Sequence, residues 1–207
     1  MAPCRPRPSA RPSRSSGRPE PMSGSVHPDR VRAALDPRLS DAVVARLLAC
    51  GRLRERLDAR LGRDGAAGDA GHAWLVADPD AAARRAGAVL HGRALRAVLS
   101  GPAATALIAA IGREAHALGL RHGARMDLRD DGGDLAGAIL HDGHACLGAW
   151  LDGQPESLRR AVLLALPPGT PAERRPIDPT LAGVAADILA LVERDMREST
   201  DEGSTDD

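Results

Sequence analysis

Four amino acids are missing from this chain: phenylalanine, tyrosine, lysine and asparagine. Only Trp74 and Trp150 are aromatic, so a core must be assembled from Leu, Val, Ile and Ala. With Lys absent, all 28 basic residues are Arg. The residues that are absent or scarce have A/T-rich codons, which points to a GC-rich, bacterial genome and not to selection for arginine. Cysteine is also sparse. Cys4, Cys50 and Cys146 are odd in number and far apart, which predicts free thiols in a reducing compartment and not a disulfide framework. No apolar run approaches the roughly 18 residues that a membrane-spanning helix needs. The N-terminus carries arginines but no apolar stretch, so a secretory signal is not expected, and the predicted location is the cytoplasm.

What is present suits a folded domain of ordinary size with polar ends. Hydrophobic residues make up 43% of the 207, enough to exclude wholesale disorder. The 28 acidic residues balance the 28 arginines, so the whole chain has no electrostatic preference for nucleic acid or anionic membrane. The ends are biased. Five arginines against Glu20 make residues 1–21 basic, and seven acids against two arginines make residues 193–207 acidic. The Pro/Arg/Ser-rich stretch 1–28 is predicted to be a disordered tail, residues 29–197 one irregular helical domain, and 198–207 a disordered acidic tail.

Within 29–197 the apolar spacing is helical. Ser40 is a candidate N-cap ahead of Val43, Val44, Leu47 and Leu48, and Gly51 divides that stretch from Leu53, Leu57 and Leu61. Residues 63–71 read as a flexible connection. Asp78 and Pro79 open a helix expected to run to Leu99, and Ser100–Pro102 separate it from one carrying Leu107, Ile108, Ile111, Ala115 and Leu118. Residues 135–151, an apolar run broken by glycines, suit either a buried helix or a short strand pair near 135–150; periodicity does not decide. A helix from Pro155 holds Leu158, Val162 and Leu166, and residues 169–179 read as a second linker. The last helix, near 180–197, has the best pattern, with Leu181, Val184, Ile188 and Leu191 on a stripe widened by Ala185, Leu189, Val192 and Met196. Closing the domain's own core is its expected task, ahead of presenting a partner surface. The predicted fold class is therefore predominantly all-α.

Chemistry is harder to find. His141, His144 and Cys146, with Asp142 or His122 as a fourth group, offer zinc-type donors. Their spacing matches no standard zinc signature, and Cys146 falls on another side of a helix from the two histidines. Asp127, Asp130, Asp131 and Asp134 lack the alternation and closing Glu of a calcium loop. Cys50 and Cys146 lie in apolar runs where an inert thiol is usual, and His91 and His116 sit on Ala-rich helices. A helix-turn-helix over 80–122 would have a second helix with only Arg113 as a long donor, too few for base readout. No catalytic, cofactor or metal residue is assigned, and the chain is expected to bind other proteins.

Two stretches carry a resemblance. Residues 83–122, with Gly87 and His91 in a G-x-x-x-H element and Leu107, Ile111 and Gly112 in an LxxxIG element, resemble the cytosolic K-subunit family of bacterial type III secretion systems, the YscK/SctK group. Residues 143–169, with Trp150 inside a CLxxWL run ahead of an LPP end, are similar to that family's later block. The resemblance covers about residues 35–169 and rests on hydrophobic patterns. It implies a non-enzymatic adaptor of the cytoplasmic sorting platform, peripheral to the inner membrane through its partners. Those implied partners are the cytoplasmic domain of the inner-membrane ring protein and the pod protein, which carries the ATPase scaffold. It implies no cofactor. Two other readings stay open: a small helical regulator using its basic N-terminus on nucleic acid, and a metal-dependent enzyme using His141 and His144.

Overall fold

The computed structural model describes residues 26–60, 70–123, 133–175 and 178–202. Eleven α-helices occur among them: α1 (Pro28–Leu35), α2 (Asp41–Ala49), α3 (Gly51–Arg60), α4 (Ala73–Ala77), α5 (Pro79–Leu90), α6 (Gly92–Ala97), α7 (Gly101–Ile111), α8 (Arg113–His122), α9 (Leu135–Leu151), α10 (Glu156–Ala165) and α11 (Pro179–Glu202). Short 3-10 turns add Ala70–His72 and Pro171–Glu173. No strand occurs among the described residues, so the predominantly all-α expectation holds.

Helix α5 lies at the centre, packed against α9, α8 and α11. Its start follows from sequence: Oδ1 of Asp78 accepts the Ala81 amide at 2.9 Å, and Pro79 occupies the first turn, where no amide is needed. Small side chains then allow neighbours in on several sides, since Ala81, Ala82, Ala83, Ala86 and Ala88 are all buried. The main apolar cluster joins α5 to Leu75, Leu147, Leu151, Leu158, Val162, Ile188 and Leu189. A second cluster gathers Leu95, Leu107, Ile111, Ala115 and Ile139. A third, smaller one joins Val26, Val31 and Val44 to the flank of α10 through Leu164. Burying such side chains contributes about 1.5–3 kcal/mol each, and this is what orders a chain without Phe or Tyr.

Several expectations are corrected. Residues 135–150 form no strand pair; they belong to the 17-residue helix α9, capped where Oδ1 of Asp134 accepts the Gly137 amide at 2.9 Å. Its glycines do not interrupt it, because Gly143 and Gly148 face neighbouring backbones too close for a side chain. The helix expected over 79–99 divides at His91, and the one expected to follow it divides at Gly112, whose φ of +92° suits glycine. The N-terminal boundary also moves. Val26 is buried, and the His27 amide donates to the Leu164 carbonyl at 2.8 Å, so the fold begins before residue 29. Residues 169–179 are no free linker at their start: Ala172 is buried against α9 at Gly148. Helix α11 runs to Glu202, five residues into the predicted acidic tail. Ser40 precedes α2 as expected, though its side chain makes no capping bond. The stretches predicted as a tail over 1–25, as a connection over 63–69, and as the end of the acidic tail over 203–207 lie outside the described residues.

Candidate functional site

A group of linked polar side chains lies where α9 meets α5 and the Pro171–Glu173 turn. Asp142 stands between two imidazoles. Nε2 of His91, on the turn between α5 and α6, is 3.0 Å from Oδ2 of Asp142, and Nδ1 of His141 is 2.9 Å from Oδ1. Arg174 donates to Nε2 of His141 at 2.9 Å, so the ring proton of His141 faces Asp142. The result is a continuous polar run from the surface at Arg174 to the fully buried His91 side chain.

One helical turn further, His144 forms a second link between the same helices. Its Nδ1 lies 2.7 Å from the Leu140 carbonyl, and its Nε2 lies 3.2 Å from Oδ1 of Asp80 on α5. That contact with His144 is the largest influence holding the Asp80 carboxyl below its ordinary value; burial opposes it and Arg84 adds to it. Cys146 points elsewhere, into the main apolar cluster, where burial pushes its thiol up to about 12. His141, His144 and Cys146 therefore do not converge, and no group of three or more His, Cys, Asp or Glu among the described residues is placed to hold a metal ion. His122 ends α8 at the exposed surface. Asp134 is an N-cap, while Asp127, Asp130 and Asp131 lie outside the described residues. Cys50 is exposed between α2 and α3. His116 is half-buried on α8 and Arg113 is exposed at its start.

A third polar link, also not predicted, is buried between α5 and α11. Nε of Arg85, on α5, donates to Oδ2 of Asp195 on α11 at 3.0 Å, and Arg121 on α8 donates to Oδ1 at 2.6 Å. Asp195 is 8% exposed, so three helices share one interior carboxylate. A signal for it existed. Asp195 follows Ile188 by seven and Val192 by three, on the apolar face of α11, and Arg85 lies between Ala82 and Val89 on the buried face of α5.

Glycine contacts hold these helices at short range. A Cβ on Gly87 would run into the Ile139 carbonyl, and one on Gly143 into the Ala83 carbonyl. Gly92 and Gly123 face each other with equally little room. Trp150 packs at the edge of the main cluster with its ring 5.4 Å from that of His72. Thus Gly87, His91 and Trp150, which stood out in the sequence, all lie at helix–helix contacts.

The fold and its polar links define an all-helical protein with small-residue helix crossings and internally paired histidines and carboxylates. No helix of the described residues is long and apolar enough to cross a membrane. The chain belongs to the family of the nodulation protein NolU: it is 42% identical to NolU of Rhizobium fredii over 183 residues, covering 83% of each chain. NolU of Sinorhizobium fredii matches to the same extent. No protein-family model and no solved structure matches it significantly.

Proposed function

We propose that the chain is a non-enzymatic assembly adaptor of a bacterial type III secretion system, linking the inner-membrane ring protein to the pod protein of the cytoplasmic sorting platform. One structural observation carries this reading: the residues of the K-subunit resemblance are the residues that set the helix crossings. Gly87 makes the α5–α9 contact, His91 anchors Asp142, Ile111 and Gly112 form the α7–α8 corner, and Trp150 edges the main cluster. A resemblance confined to exposed positions would carry less weight, because Ala/Leu/Arg repetition arises easily in a GC-rich chain. The relatives are described as nodulation proteins. Secretion accessories are one class of protein through which a bacterium acts on a host, so the two likenesses point the same way.

The geometry suits an adaptor. The buried charges answer one another across α5, α8, α9 and α11, which favours a rigid body over a reactive cleft. The protein would be cytoplasmic and would reach the membrane through the ring protein alone, with no cofactor. The test is a fluorescent fusion in the native bacterium. It is expected to form membrane-proximal foci that disperse when the ring-protein gene is deleted. Foci that persist in that deletion, or uniform cytoplasmic signal in the wild type, would remove the reading.

A further inference from the structure

Helix α3 buries none of its described residues, and its packing is with α2. Together α1, α2 and α3 enclose an apolar groove of about 250 Å³, lined by Val31, Leu35, Leu47, Leu48 and Leu53, with Arg54 and Arg56 on its α3 side. Four large apolar residues are markedly exposed among those described, and three belong to this unit: Leu35 at 60%, Val43 at 43% and Leu53 at 43%. Neither Arg54 nor Arg56 makes an ion pair with a described residue. An apolar floor beside two guanidinium groups that pair with no described residue is a surface of defined chemistry, unlike the scattered exposed leucines of any soluble protein.

The two ends of the chain offer no suitable occupant. Residues 1–25 hold two methionines and no Leu, Ile, Phe or Trp, and their arginines would meet Arg54 and Arg56. Residues 198–207 are acidic but contain no large apolar residue. A second copy would bring two more arginines and no acidic residue of the groove lining to the contact, so it offers this lining no complementary charge. We propose that this groove receives an amphipathic helix of a partner protein, with aliphatic residues on one face and Asp or Glu on the flanks. This rests on the adaptor reading and adds to it a surface and a ligand chemistry. Aliphatic side chains one turn apart enter between Leu35, Leu48 and Leu53, and the acidic flank meets Arg54 and Arg56.

The experiment uses the full chain and two labelled helical peptides, read by fluorescence anisotropy. One carries leucines at i, i+3 and i+7 flanked by glutamates; the other has each glutamate replaced by arginine. The acidic peptide is expected to bind saturably, about tenfold tighter than its counterpart, with the advantage shrinking in high salt. The Arg54→Glu, Arg56→Glu double variant should abolish the preference, and Leu53→Ser should weaken binding about fivefold, both with helicity unchanged. Equal binding of the two peptides, no saturable binding, or indifference to both variants would overturn the proposal. So would a dimer of the wild type that Leu53→Ser dissociates. Failure here is separable from failure of the adaptor reading. If the wild type and the double variant capture ring and pod proteins equally, the groove proposal falls and the adaptor stands; if the wild type captures neither, the adaptor reading falls and the peptides judge the groove alone.

Discussion

Gly87 of α5 and Gly143 of α9 cross so closely that a Cβ on Gly87 would stand 3.2 Å from the Gly143 Cα, besides striking the Ile139 carbonyl. Backbone atoms cannot swing aside as a flexible side chain can. Gly87→Ala is therefore expected to force α5 and α9 apart and to destabilise the fold by about 3 kcal/mol. Gly183 provides the contrast: it lies inside α11 with nothing near its Cβ position, so Gly183→Ala should stabilise by about 1 kcal/mol through helix propensity. Urea denaturation of both variants decides the matter, and a similar effect from the two would mean the crossing is looser than described.

The shared carboxylate of Asp195 makes a second prediction. Asp195→Asn leaves the buried Arg85 guanidinium without its counter-charge, and the expected cost is about 3 kcal/mol. Arg121 is 57% exposed at its side chain, so Arg121→Ala should cost less than about 1 kcal/mol. Replacing both interior partners, as Arg85→Met with Asp195→Leu, should recover much of the loss. The same denaturation series reads all three.

Acid should destabilise the protein in two stages. Burial holds the His27 pKa below the usual 6.5, so its contribution to stability is present above 6.5 and fades as the pH falls from there through the lower folded value. Protonation also removes the Nδ1 acceptor that caps α1 at the Asp29 amide. Asp80 follows the same sign at lower pH: its carboxyl lies below 3.8 in the fold, so its contribution is present above 3.8 and is lost as the pH falls through the folded value. His27→Gln should flatten the first stage and Asp80→Asn the second. Denaturation midpoints measured from pH 8 to pH 3 check both, and unchanged slopes in the variants would contradict the assignment.

The thiols should differ sharply. Cys146 is buried with its pKa pushed up to about 12, whereas Cys50 is exposed. At pH 8 in native buffer, iodoacetamide is expected to modify Cys50 and spare Cys146 until denaturant is added. Peptide mass spectrometry distinguishes the two, and native labelling of Cys146 would show that the α9 core opens readily.

Much of this architecture is legible in the sequence, for reasons that differ by element. Helix α11 could be read because Leu181, Ile188, Leu189 and Val192 mark one face and all are buried. The start of α5 could be read because Asp78 and Pro79 are local signals. Helix α9 resisted, since its glycines look like breaks until the backbones of α5 and the Pro171–Glu173 turn are known to press against them. The division at His91 was hidden for the same reason: Gly92 is drawn toward Gly123, a contact 31 positions away. The pairing of Asp80 with His144 and of Arg85 with Asp195 is long-range and leaves no spacing to detect. Only the presence of charged residues on apolar helix faces hints at it.

The most direct test of the account is reconstitution from purified parts. The full chain, the cytoplasmic domain of the ring protein and the pod protein, mixed without nucleotide or metal, should elute together as one ternary complex in size-exclusion chromatography. The ring domain and pod protein should stay apart when the chain is omitted. If they associate equally well without it, or if the chain joins neither, it is not the adaptor that links them.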